Sequence, residues 1–176
     1  RNELSETVVN LFFLLSGEHP TLPFSEVEAI LGAEGCKYKV LGKNTQVLRL
    51  ETSLESVDPV VHRAAMTRVC SIELLHTKAA SSEILRKIRS FPFEKHVRKS
   101  GTFVVLLRRV REAAPDIEVP EMEQELGATI LDAVEGMKVK RTNPDLTFYG
   151  VLTDDVFIFG QKVAEISAKP FVGRRP

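Results

Sequence analysis

Ser100-Gly-Thr-Phe-Val-Val-Leu-Leu-Arg-Arg-Val-Arg111 sets how the rest of this chain is understood. Residues 102–107 are a continuous apolar run, the pattern of a strand expected to be buried on both faces. A basic segment follows at once, with Arg108, Arg109 and Arg111. Residues 112–135 then hold eight acids and no Lys or Arg, and among them Met122, Leu126, Ile130, Ala133 and Val134 recur at helical spacing. Pro120 suits a first helical turn, and Gly136 suits the residue just past the helix end. Met137-Lys-Val-Lys-Arg141 leads to Asn143-Pro144-Asp145. Strands are expected at 146–152 and 156–159, joined through Thr153-Asp154-Asp155.

Upstream of that stretch, Val8-Val-Asn-Leu-Phe-Phe-Leu-Leu15 predicts a central strand, broken by residues 16–20. Ser25-Glu-Val-Glu28 has the spacing of a capping box, opening a helix with Val27, Ile30 and Leu31 inward and Gly32 at its end. Tyr38 and Val40 suit a strand, Gly42-Lys43-Asn44 a turn and residues 47–50 a second strand. Ser56 is placed to cap a helix that tolerates Pro59 in its first turn, and residues 68–75 are strand-like again. Strand, helix, strand, strand, helix, strand is a ferredoxin-like split βαββαβ domain, assigned to residues 1–78. Its second and fourth strands lie at opposite edges, too far apart for Cys36 and Cys70 to bridge. Ser81 or Ser82 then caps a helix with Ile84, Leu85 and Ile88 inward and Arg86, Lys87 and Arg89 outward.

The totals exclude several classes. Of 176 residues 43% are apolar and 27% charged, as in soluble globular proteins, and no apolar run approaches the ~20 residues of a membrane span. No membrane partner is expected. Two cysteines without metal-ligand spacing suit buried thiols in a reducing compartment, so a cytoplasmic location is expected. There is no G-x-G-x-x-G, P-loop, C-x-x-C, H-E-x-x-H or G-x-S-x-G. The four histidines are scattered, and Glu121, Glu123 and Glu125 point to different helix faces. No catalytic or metal site is therefore expected within the chain. The net charge of zero hides a partition: residues 86–111 hold nine Lys/Arg against Glu94 alone, ahead of the acidic segment.

The order of strand, acidic helix, basic segment and hairpin resembles a THUMP domain, the small α/β module of several tRNA-modifying enzymes. Glu125-Leu126-Gly127, Val139 with its flanking lysines, and Asn143-Pro144-Asp145 carry that resemblance. The fold expected is thus α/β (α+β), a ferredoxin-like domain followed by a THUMP-like domain at residues 79–167. Residues 168–176, with Lys169-Pro-Phe171 and Arg174-Arg-Pro176, look like a linker to a further domain. Over the whole chain, Leu14-Leu-Ser-Gly-Glu18 and residues 23–28 resemble the start of the archaeal tRNA guanine-N2 methyltransferases. The resemblance implies a tRNA-binding region that grips the acceptor end of tRNA. Methyl transfer from S-adenosylmethionine would occur in a covalently linked catalytic domain. Two other readings stay open, the RNA-binding part of a tRNA 4-thiouridine synthase and a protein-interaction scaffold.

Phosphate recognition needs several cations on one surface. Three groups are candidates: Arg86, Lys87 and Arg89 on one helix; Arg108, Arg109 and Arg111 after a strand; Lys138, Lys140 and Arg141 after the acidic helix. The last two groups are expected to end neighbouring strands and share a rim, with Arg108, Arg109, Lys138 and Lys140 the strongest candidates. Lys138 and Lys140 alternate with Val139 and so project to one side. Asn143-Pro144-Asp145 is expected to shape a turn. Aromatic platforms are scarce, which favours recognition of RNA shape and terminus over base reading.

Overall fold

The computed structural model describes residues 7–97 and 100–167, so the expected linker at 168–176 lies outside the described residues. Contacts divide the chain into two compact units, one of residues up to Ile72 and from Val163 on, the other Glu73–Lys162. Among the described residues there is no cis peptide bond.

The first unit runs β1 (Val8–Leu15), α1 (Leu22–Ala33), β2 (Tyr38–Asn44), β3 (Val47–Ser53), α2 (Val57–Arg63) and the first half of β4 (Thr67–Lys78). The strand order is β2-β3-β1-β4, each neighbour antiparallel, which is the ferredoxin-like arrangement. Leu11, Phe13 and Leu15 alternate along β1 onto one face. There they pack with Val27, Leu31, Leu48, Leu50 and Val60 in a core fed by both helices. Cys36 precedes β2 and Cys70 lies on β4, at the two ends of this order, and both are free thiols.

Three local expectations need correction here. The capping box at Ser25 does not form: α1 starts at Leu22, and Ser25 lies inside it with its hydroxyl donating to Thr21 O at 3.4 Å. His19 supplies the cap instead, its Nδ1 accepting from Thr21 N at 3.2 Å and Leu22 N at 3.1 Å. Pro23 in the first turn explains the earlier start, because proline's missing N–H costs nothing there. Gly32 does not end the helix either. Gly35 does, with φ +69°, and the bonds Gly35 N to Gly32 O and Cys36 N to Leu31 O close a Schellman motif. The turn placed at Gly42-Lys43-Asn44 is Thr45-Gln46, because Asn44 pairs with Val47 and Gln46 takes φ +60°. Glu28 of the supposed box binds Lys43 at 3.1 Å, while Glu26 accepts from Ala65 N and Met66 N beyond α2.

The second unit continues β4 into α3 (Ser81–Ser90), α4 (Phe93–His96), β5 (Gly101–Arg109), α5 (Val119–Ala133), β6 (Met137–Val139), β7 (Leu146–Thr153) and β8 (Val156–Glu165). In it the strand order is β8-β7-β5-β6. β7 and β8 form a hairpin through Asp154-Asp155, while β5 is parallel to both β7 and β6. Phe103, Val105 and Leu107 of β5 share one face with Phe148, Leu152, Phe157 and Phe159. The buried side of α5 (Met122, Leu126, Ile130) and Ile84 and Ile88 of α3 cover that face. Ala80, not Ser81 or Ser82, is the N-cap of α3, and it makes no side-chain cap. Burial on both faces of β5 also fails at one point: Leu106 is 39% exposed. The strand's alternation places it on the face away from the helices.

Candidate nucleic-acid interface

All nine sequence-predicted cations lie in the second unit. Arg86, Lys87 and Arg89 are exposed along α3, opposite buried Ile84 and Ile88, as their spacing requires. Arg86 reaches Glu83 one turn earlier at 2.7 Å and holds that carboxyl below the usual carboxylate range. Its charge is therefore partly spent within the helix.

Arg108 is exposed and, alternating with Leu107, projects from the sheet face opposite α3 and α5. Arg109 differs. It is half-buried, donates from its guanidinium to the carbonyl of Ile117, and leaves its Nε buried without a partner. Its work is to pin the loop that leads into α5. Arg111 is exposed in that loop at φ +53°.

Lys138, Lys140 and Arg141 are exposed. Lys138 alternates with buried Met137, which packs in the helix-side core, so it shares Arg108's sheet face. The expected common rim does not form, however. β6 is only three residues long and runs parallel to the start of β5, with Lys138 opposite Thr102 and Val139 opposite Phe103. Arg108 lies six residues further along β5, about 20 Å away at the usual strand rise. The register thus separates two cation groups on one face that the sequence suggested would touch. Among the described residues, no ion pair joins Arg108, Lys138 or Lys140 to a carboxylate of α5.

Asn143-Pro144-Asp145 has a structural role. Asn143 takes φ +47°, and the Asp145 carboxylate accepts from Thr102 N at 2.9 Å and from Thr102 Oγ1 at 3.1 Å. Thr102 Oγ1 accepts in turn from Asp145 N at 3.0 Å. This clasp joins the starts of β5 and β7 and fixes the level at which Lys138 pairs. Gly101 completes it: φ is +127°, and a Cβ there would stand 3.0 Å from Asp145 Oδ2. Sequence reasoning overlooked Gly101 and Thr102, although a glycine opening an apolar run was the available signal. It also overlooked Glu123, whose carboxylate accepts from Leu107 N at 3.0 Å. Tyr149 and Phe148 are both buried, which leaves no stacking platform on β7. No cluster of three or more His, Cys, Asp or Glu able to hold a metal occurs among the described residues. No helix among them is long and apolar enough to cross a membrane.

An α5 crossover between β5 and β6, a hairpin after Asn-Pro-Asp and exposed cations at both ends of β5 define a particular module. Residues 78–160 match the family model of the THUMP domain. Across nearly its whole length the chain is similar to the tRNA (guanine(10)-N2)-dimethyltransferase of Methanothermobacter thermautotrophicus. The two are 27% identical over 168 residues, 96% of this chain and 48% of that protein. The chain thus spans about half the length of the curated relative it matches. The fold is also that of two solved structures. PH1313 from Pyrococcus horikoshii gives a TM-score of 0.62 at 17% identity, over 89% of this chain and 55% of that one. A 4-thiouridine synthetase in complex with RNA and ATP gives 0.57 at 15% identity, over 90% and 42%.

Proposed function

We propose that this chain is the tRNA-binding region of an S-adenosylmethionine-dependent tRNA guanine-N2 methyltransferase. The observation that carries the proposal is collinearity: 96% of the chain aligns with about half of a tRNA (guanine(10)-N2)-dimethyltransferase, and the THUMP segment lies inside that alignment. In this reading the ferredoxin-like domain (residues 1–78) and the THUMP domain (residues 79–167) hold the acceptor end of tRNA. A covalently linked catalytic domain binds S-adenosylmethionine and transfers the methyl group, and the reaction belongs to the cytoplasm. None of this chain's residues is assigned to the cofactor.

The geometry shapes how the RNA is held. Arg108 with Arg111, and Lys138 with Lys140 and Arg141, give two contact points at opposite ends of β5. Two such points read the length and course of a helical backbone, which is recognition by shape. Arg86, Lys87 and Arg89 lie on the helix side and add a weaker, separate field.

The test is a competition. Fluorescence anisotropy of labelled tRNA bound to the chain should be reversed by a minihelix containing the acceptor stem and its 3′ end. An anticodon-arm hairpin of equal length should compete at least about tenfold less well. Equal competition by both hairpins would discard acceptor-end recognition.

A further inference from the structure

β6 covers only the beginning of β5. Its pairing ends at Phe103, whose carbonyl accepts from Lys140 N at 2.8 Å, while β5 continues to Arg109 with β7 on its other side alone. Main-chain groups alternate along a strand, so Val105 and Leu107 present their N–H and C=O on the same edge as Phe103. Among the described residues, no strand pairs with that edge beyond Phe103. A groove of about 470 Å³ runs beside it, with Val105 and Leu106 in its lining, so there is room next to the strand. An uncovered edge of this kind is a template for another strand.

A second copy of this chain carries a matching template. Two copies of β5 laid antiparallel about Leu106 bring Val105 of each opposite Leu107 of the other. Both residues point their main-chain groups outward, so each of the two pairs exchanges two hydrogen bonds, four in all. Two of the four require the Leu107 N–H. Leu106, 39% exposed on the sheet face away from α5, would meet its own copy across the two-fold axis as an apolar pair.

One side chain opposes this pairing. Glu123 is half-buried on α5, next to buried Met122, and its Oε2 accepts from Leu107 N at 3.0 Å. It therefore occupies the donor that a second strand needs. In a symmetric pair the two Glu123 carboxylates would also close on one another near the axis, each losing water beside a like charge. A charged side chain turned onto an edge is one of the ways a sheet is kept from extending.

We infer that Glu123 guards the β5 edge, its carboxylate keeping a second copy of this chain from adding there as an antiparallel strand. This role is independent of the RNA reading. It also differs from simple support of the fold, which would change the melting temperature and leave association untouched.

The test is sedimentation velocity on the whole chain over a wide range of protein concentration, with hydrogen exchange to locate any contact. The parent should form no β5–β5 pair. Glu123→Ala should self-associate about 30-fold more tightly, since each of the two freed bonds is worth about a fivefold factor. Exchange at Val105 should slow as that variant associates. Glu123→Gln keeps an acceptor oxygen on Leu107 N and should stay within about threefold of the parent. Adding Leu106→Lys to Glu123→Ala puts two like charges face to face at the axis and should restore the monomer. If Glu123→Ala does not fold, the near-isosteric Glu123→Met, which also lacks the acceptor, takes its place with the same expectations. The inference is overturned by a folded variant that associates no more than its parent, by association that leaves Val105 exchange unchanged, or by association that Leu106→Lys does not reverse. A parent already paired through β5 overturns it too, as does failure of both variants to fold, which would make the bond a requirement of the fold instead.

Discussion

Asp145→Ala removes the acceptor that ties the start of β5 to the start of β7. The bonds lost include those from Thr102 N at 2.9 Å and Thr102 Oγ1 at 3.1 Å, while Asp145 N keeps its bond to Thr102 Oγ1 at 3.0 Å. Bonds to a charged acceptor contribute about 1.5–3 kcal/mol when sheltered. Asp145 is exposed and Thr102 half-buried, so water replaces part of what is lost and the expected cost falls to about 1 kcal/mol. For a chain of this size that lowers the melting temperature by about 2–4 °C. Asp145→Asn, which keeps an acceptor oxygen, should lose less than half as much. Thr102→Val keeps the main-chain donor but removes the hydroxyl. The double variant should therefore show a coupling of about 0.5–1 kcal/mol. Thermal unfolding gives the magnitudes, and amide exchange at residues 137–139 locates the loosening at the β5–β6 pairing. An Asp145→Ala protein that melts with its parent, or strictly additive single losses, would refute the clasp.

Gly150→Ala should destabilise by about 1–3 kcal/mol or prevent folding, because its Cβ would stand 2.5 Å from Leu107 Cδ2 and 2.8 Å from Phe157 Cε2. A denaturant melt checks it, and a midpoint equal to the parent's would show that the core yields there. Cys70 is fully buried, and burial pushes its thiol well above the ordinary thiol range. Near neutral pH, Ellman's reagent should leave Cys70 untouched in the native chain and label it rapidly only after unfolding, as peptide mapping would show.

Element order was legible because the chain carries two simple signals. Short continuous apolar runs at β1 and at residues 102–107, and the helical spacing of Met122, Leu126 and Ile130, gave the right elements, and the ferredoxin-like order followed from counting them. Helix starts were less legible. Ser25 has the right neighbours for a cap, yet Pro23 and the His19 ring claimed the turn before it. Arg109 shows why composition alone overcounts an interface: half-buried arginine can be spent on a carbonyl. The shared rim failed for a topological reason. Nothing local in Met137-Lys-Val139 tells which part of β5 it will pair with, and that register is set from a distance by Asp145 and Gly101.

The salt dependence of tRNA binding tests the account most directly. Each phosphate neutralised adds about 0.9 to the slope of log affinity against log salt, or roughly 3.5-fold between 50 and 200 mM. Lys138→Glu with Lys140→Glu should lower the slope by about 1.8, and Arg108→Glu with Arg111→Glu by a similar amount, the two pairs acting additively at opposite ends of β5. Unchanged slopes in both pairs, with the fold intact, would contradict a phosphate-binding face on this sheet.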